Sequence, residues 1–291
     1  MVAHRPPPLS GYRERTFRSQ DGLDLYYRDY GDPLNHRPAV LCLAGVTRNS
    51  KDFHSLACHL AGGRRVLCPD YRGRGRSAYD PDWQRYQART YVDDIRHLLA
   101  AADVHRVVVI GTSLGAVLAM VMGVAMPNAV AGALLNDLGP RVETAGLRPI
   151  IAYMSDDRPH PDWAAAARHL SETFPDLPAE TDNDWLAIAR NTYREMPDGS
   201  LRFDWDPNIV KTFAAAAGRP AEFWPLFRAL KRVPLLALRG EKSRVLSEET
   251  FLRMAKEMPH MDHMTVPGVG HPPDLNDPKV VEAIDALISK T

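Results

Sequence analysis

Ser113 lies in the string Gly111-Thr112-Ser113-Leu114-Gly115, between "RVVVIG" and "LGAVLAMVMGVAM". The first run is apolar and β-branched, so it predicts a strand, and the second predicts a buried helix. A sharp strand-to-helix turn lifts a serine hydroxyl above a sheet, and glycines on either side leave room for such a turn. The next backbone N–H, at Leu114, then faces the same space, and the helix N-terminus adds partial positive charge. A serine that only caps the helix is the alternative, but the strand–turn–helix context favours a nucleophile.

A serine hydroxyl reacts with a carbonyl only when a base takes its proton. The chain has eleven histidines. His97 and His169 fall in amphipathic helical stretches, and His54 and His59 fall in the helix expected after "LCLAG". His260 and His263 flank the start of a strand, and no cluster of cysteines or carboxylates beside them supports a metal site. His271 stands apart, in the Gly/Pro-rich loop "VPGVGHPPD" after the last expected strand, where a side chain can reach the strand ends.

A third group must orient the imidazole and offset its charge. Asp137 closes "ALLND", the strand following the Ser113 helix, and open parallel sheets form their active sites at such carboxyl ends. Asp137 could instead cap the turn at Asn136-Asp137 and Gly139-Pro140. Glu241, in "RGEKSRVLS", and Asp274, just past His271, are competing carboxylates. Arg244 in that same turn is a permanent cation and cannot serve. Asp70, ending "RRVLCPD", is expected to pair with Arg72 or Arg76 and hold its loop.

These residues need a sheet to position them. Asp21-Gly22 joins "YRERTF" to "LDLYYRDYG" as a hairpin. After it, β and α segments alternate: strand "AVLCLAG", helix "SKDFHSLACHLAGG", strand "RRVLCPD", helix "TYVDDIRHLLAAADV", then the Ser113 unit and "AVAGALLND". That order predicts an α/β fold with a mostly parallel sheet flanked by helices. From 141 to 227 the chain becomes helical, Pro-rich and Trp-rich, with "DNDWLAIARNTYREM" read as one helix. Sheet logic resumes with "VPLLALRG" and "MDHMTVPG". The expected division is a core of 1–140 and 228–291 with a helical cap of 141–227 inserted between two strands.

The 291 residues suit this plan, and 45% hydrophobic with 25% charged residues is ordinary for a globular chain. Lys plus Arg and Asp plus Glu are both 36, so the net charge is zero. No global field favours nucleic acid or an anionic membrane, and the basic "YRGRGRS" is short and isolated. Cys42, Cys58 and Cys68 sit in apolar contexts and read as buried free thiols of a reducing compartment. "MVAHRPPPLSG" has no apolar core for a signal peptide, and no stretch is apolar enough to span a membrane. The expected location is cytoplasmic, and the sequence leaves the oligomeric state open.

Four blocks together resemble the α/β-hydrolase fold family over nearly the whole chain. "LCLAGVTRNSKDF" is similar to its oxyanion-loop segment, "CPDYRGRGRS" to its fourth-strand motif, "GTSLGA" to its nucleophile elbow, and "VPGVGHPPDLNDP" to its catalytic-histidine segment. The helical insertion falls where the family carries a cap. The resemblance implies Ser113 as nucleophile, His271 as base, and the N–H groups of Val46 and Leu114 as an oxyanion hole. Family members often place His-Gly in the oxyanion loop, where this chain has Ala44-Gly45. They also place an aspartate, often as Ser-Asp, where this chain has Ser243-Arg244. Haloalkane dehalogenases, in the same fold family, carry the acid after the strand that follows the nucleophile. "ALLNDLGP" resembles that arrangement and implies Asp137.

A Ser-His-acid site implies acyl transfer to water on a small-molecule substrate: a small ester, thioester or lactone. Carbon–carbon bond hydrolases and acyltransferases share the serine form of the fold, and some members are slow or non-catalytic small-molecule receptors. The aspartate nucleophile of dehalogenases and epoxide hydrolases is absent. Aromatic residues of the cap, Trp163 and Trp185 among them, are candidates for the pocket wall, with packing in the cap core favoured for any single tryptophan. Arg48 is a candidate ligand for a substrate carboxylate, with an exposed or salt-bridged arginine the favoured alternative. No cofactor or metal is implied.

Overall fold

The computed structural model describes residues 11–216 and 222–291. The first ten residues, most of the segment read for a leader, and residues 217–221 of the expected cap lie outside the described residues.

The hairpin forms as its Asp21-Gly22 turn requires: β1 (Tyr12–Arg18) pairs antiparallel with β2 (Asp24–Tyr30). Next come β3 (Ala39–Leu43), α1 (His54–Leu60), β4 (Val66–Pro69), α2 (Ala88–Ala101), β5 (Val107–Thr112), α3 (Leu114–Ala125) and β6 (Val130–Asn136). After a helical insertion the chain resumes with β9 (Leu235–Gly240), α9 (Glu248–Glu257), β10 (Asp262–Val266) and α10 (Pro278–Ser289). The eight strands order as β1-β2-β4-β3-β5-β6-β9-β10, and every neighbouring pair from β4 to β10 is parallel. β3, β5 and β6 are almost wholly buried, as their unbroken apolar runs require of strands covered on both faces.

Within the insertion are α4 (Thr144–Met154), α5 (Trp163–Thr173), α6 (Asp182–Thr192), a small hairpin of β7 (Tyr193–Glu195) and β8 (Leu201–Phe203), α7 (Ile209–Ala216) and α8 (Trp224–Ala229). Its own core is aromatic, with Phe203 stacked on Trp205 at 4.0 Å between centroids and Tyr153 edge-on to Phe203 and Phe174. Two expectations change here. The helix read through Met196 ends at Thr192, because the Asp198-Gly199 turn folds residues 193–195 back against 201–203. The return to the core also starts before residue 228, since Phe223 N–H donates to Pro140 O at 2.5 Å and α8 packs on α3.

Cys42 and Cys68 are buried, but Cys58 is exposed on the outer side of α1, with its sulfur 3.9 Å from the His54 ring nitrogens. Among the described residues no helix is long and apolar enough to cross a membrane.

Candidate active site

Thr112 and Asn136 are register partners at the ends of β5 and β6. Ser113 and Asp137 each stand one residue beyond that pair. Both keep one more sheet bond, Ser113 N–H to Asn136 O at 3.0 Å and Asp137 N–H to Leu238 O at 2.9 Å. Both then turn through the left-handed region, with φ of 51° and 55°. Few non-glycine residues adopt such angles, and they cluster where a side chain must be aimed rather than packed.

The elbow at Ser113 depends on its glycines. A Cβ on Gly115 would lie 2.0 Å from Leu43 O, and one on Gly111 would lie 2.3 Å from Gly115 O. Strand and helix therefore approach at backbone distance, and α3 begins directly under the serine.

His271 comes from the loop after β10. Its Nε2 lies 3.0 Å from Ser113 Oγ, and its Nδ1 lies 2.8 Å from Asp137 Oδ2. Asp137 is completely buried, and its other oxygen accepts the Gly240 N–H at 2.8 Å. A carboxylate oxygen only accepts, so Nδ1 carries the imidazole proton and Nε2 offers its lone pair to the serine hydroxyl. The competing acids are engaged elsewhere: Glu241 accepts the Gly268 N–H at 2.7 Å, and Asp274 accepts from Asn276. Arg244 is exposed.

The Ala44–Val46 loop lies against the serine, with the position of a Gly45 Cβ only 3.8 Å from Ser113 Cβ. Its three successive carbonyls are all taken: Ala44 O by Tyr71 Oη at 3.1 Å, Gly45 O by Arg48 N–H at 3.1 Å, and Val46 O by Arg74 Nε at 2.9 Å. The N–H groups of Val46 and Leu114 donate to no other described residue. A tetrahedral oxyanion is the kind of group such a pair of fixed donors can stabilise.

Tyr71 and Arg74 were not singled out from the sequence, where "YRGRGRS" reads only as a short, isolated basic run. Arg72 and Arg74 are both fully buried. Their signal was the alternation with Gly73 and Gly75, both at positive φ, which curls the loop and turns the arginines inward. Arg72 meets Asp94 at 2.8 and 2.6 Å, Asp21 at 2.8 and 3.0 Å, and Asp80 at 2.5 Å. Asp70 does not pair with an arginine side chain as expected. It accepts the backbone N–H groups of Ser50 and Arg76 at 2.7 and 2.9 Å, and burial raises its carboxyl above the usual range.

A cavity of about 430 Å³ opens on Ser113 and His271. Core loops form one side, and Ile150, Tyr153, Leu170, Phe174, Leu177 and Ile188 of the insertion form an apolar side opposite. Of the candidates for its wall, Trp163 and Trp185 do not line it and pack against the hydrophobic core instead. On α6 the lining residues are Asp184, Ala187, Ile188, Asn191 and Thr192, whereas Trp185 is partly buried against that core. Trp163 shares the face of Leu170 on α5 but lies two turns away, about 10 Å along the helix. Arg48 does line the cavity, but its guanidinium is already held by both Asp52 oxygens, at 2.6 and 2.5 Å, and by Thr192 Oγ1.

Among the described residues no three His, Cys, Asp or Glu side chains group as a metal site.

Comparison with known proteins agrees with this architecture. The model of the alpha/beta hydrolase family matches residues 40–284, and the chain belongs to that family. It is 32% identical to a 3-hydroxybutyrate-oligomer hydrolase of Cupriavidus necator, over 87% of this chain and 89% of that one. A 2-(acetamidomethylene)succinate hydrolase of Mesorhizobium japonicum is 27% identical over 80% and 81%. The crystal structure of an alpha/beta hydrolase from Novosphingobium aromaticivorans superposes with a TM-score of 0.91 at 42% identity, covering 97% of this chain and 99% of that one.

Proposed function

We propose that this chain is a serine hydrolase that cleaves a small ester, thioester or lactone through an acyl-enzyme. The observation that carries the proposal is the continuous line Ser113 Oγ, His271, Asp137, with contacts of 3.0 and 2.8 Å. Ser113 Oγ attacks the carbonyl carbon as His271 Nε2 takes its proton. Asp137 holds the resulting imidazolium, and the N–H groups of Val46 and Leu114 hold the oxyanion. Collapse expels the alcohol or thiol with the proton from His271. Water, deprotonated by the same nitrogen, then attacks the acyl-serine and releases the acid.

The insertion acts as a lid in this reading, its apolar side covering the acyl group. The Cupriavidus necator relative makes short esters of hydroxy acids the first substrates to try. The Mesorhizobium japonicum relative points instead to a dicarboxylate. The cavity favours this less, because its two basic side chains, Arg48 and Lys51, are both ion-paired, to Asp52 and Asp204.

The test is a panel of p-nitrophenyl esters and lactones with a fluorophosphonate probe. The wild type should hydrolyse members of the panel and be labelled at Ser113. Ser113→Ala should fold, escape labelling and lose on the order of 10⁶ in kcat. A wild type that is neither labelled nor active would mark a small-molecule receptor on this fold. Hydrolysis surviving in Ser113→Ala would remove the nucleophile assignment.

A further inference from the structure

We propose that Asp52 sets the substrate class of this site by silencing Arg48, so that the cavity takes an uncharged acyl chain and turns away one ending in a carboxylate. The inference rests on the ester-hydrolase reading above and narrows it.

Arg48 begins beside the reacting serine. Its Cγ and the Ser113 Cβ lie 3.4 and 3.8 Å from the same point, the position of a Cβ on Gly45. A guanidinium there, on the wall of the cavity, is the obvious receptor for a substrate carboxylate, since its fork matches two carboxylate oxygens. Its Nε–Nη2 edge is already filled and its charge already matched by a carboxylate. Nε and one Nη2 hydrogen go to the two oxygens of Asp52, and Nη1 goes to Thr192 Oγ1. Thr192 in turn donates to Ile188 O at 2.7 Å, so it is fixed as the acceptor.

The rest of the lining does not restore a positive field. Lys51, the other basic residue, gives its ammonium to Asp204 Oδ2 and Arg190 O, both at 2.9 Å. Asp184 and Asp274 join Asp52 as acidic residues of the lining. A substrate carboxylate must displace Asp52 from a bidentate pair or sit beside it at like charge, and both cost affinity. An alkyl chain meets neither cost and finds the apolar wall of Ile150, Leu170, Phe174 and Ile188.

The probes are two esters of equal chain length, p-nitrophenyl hexanoate and mono-p-nitrophenyl adipate, compared by kcat/KM after subtraction of spontaneous hydrolysis. The wild type should favour the hexanoate by about tenfold or more, as one uncompensated charge near others requires. Asp52→Asn keeps the shape and frees the Arg48 charge, so the adipate-to-hexanoate ratio should rise about tenfold. Adding Arg48→Gln to Asp52→Asn should return the ratio toward its starting value, and added salt should shrink the Asp52→Asn gain. A wild type that treats the two esters equally or favours the adipate overturns the inference while leaving ester hydrolysis standing. A folded Asp52→Asn with an unmoved ratio overturns it too. The wild-type ratio decides the matter if Asp52→Asn fails to fold. A wild type that hydrolyses neither these esters nor any of the panel removes the ester-hydrolase reading, and the inference with it.

Discussion

The backbone N–H of Gly240 donates to Oδ1 of Asp137 at 2.8 Å. The strand whose following turn carries Arg244 thus holds the acid of its neighbour. The same turn steadies the histidine loop, with Lys242 N–H on Val269 O at 2.9 Å and the Glu241 carboxylate on Gly268 N–H. No Cβ fits at Gly240, where it would meet Gly270 O at 2.1 Å. A turn without a catalytic carboxylate still supports two members of the proposed triad.

Asp137→Asn should therefore lower kcat by about 10⁴, with a near-wild-type melting temperature. The amide can still accept from Gly240, but its NH₂ would face the Nδ1 proton and favour the wrong tautomer of His271. Exposed Arg244 should tolerate alanine within a few-fold. Steady-state kinetics on one ester check both, and a fully active Asp137→Asn would refute the role of the acid.

Acid should act through two separate sets of imidazoles. His271 must be neutral to take the serine proton, so kcat/KM falls as it becomes protonated. His160 and His169, 5.1 Å apart between ring centroids in the aromatic core of the insertion, are both held below the ordinary imidazole value, first by burial, then by His169 and Arg158 at His160 and by Arg158 at His169. Tyr153 and Tyr193 also pack on them. Their folded-state values are depressed, so below the ordinary value the unfolded chain binds more protons. Their contribution to stability is full near pH 7 and declines as pH falls toward 5. The melting temperature should drop over that window, and a His160→Phe/His169→Phe double variant should flatten the drop while the acid limb of kcat/KM remains.

Arg72 and Arg74 should separate stability from rate. Arg72→Met leaves three carboxylates around an empty centre and should cost about 3–5 kcal/mol in urea unfolding. The folded fraction should keep its kcat within a few-fold. Arg74→Met removes the donor to Val46 O, so it acts on the reaction by positioning the Val46 N–H. Its kcat should fall about 10²-fold with little change in KM, and Arg74→Lys should recover part of the loss. Equal losses in kcat and stability for both variants would contradict this division.

The sequence carried most of this because the decisive signals are local. Apolar runs and the small residues around Ser113 mark strand, turn and helix without reference to the rest of the chain. Asp137 was legible because it closes the strand beside Ser113. Contacts between distant segments were not legible. Asp52 stands four residues from Arg48, but nothing there announces that Thr192 also takes its guanidinium, and the pairing expected of Arg72 with Asp70 goes instead to Asp21, Asp80 and Asp94. Trp185 failed for a narrower reason: an aromatic residue of the insertion packs against the core as readily as it lines a cavity, and composition does not separate the two.

The Thr112–Asn136 pair also has a consequence for how the molecule opens. β5 and β6 lie in the interior of the sheet, with four strands outside them on one side and two on the other. Local unfolding starts at edges and loops and reaches such strands last. Ser113 and Asp137 hang from one rung there, so excursions that free the β1–β2 hairpin or part of the insertion leave their separation intact. Loss of that separation then coincides with global unfolding, whereas His271, on the loop after the edge strand β10, is the member of the proposed triad that an opening at the sheet edge removes first.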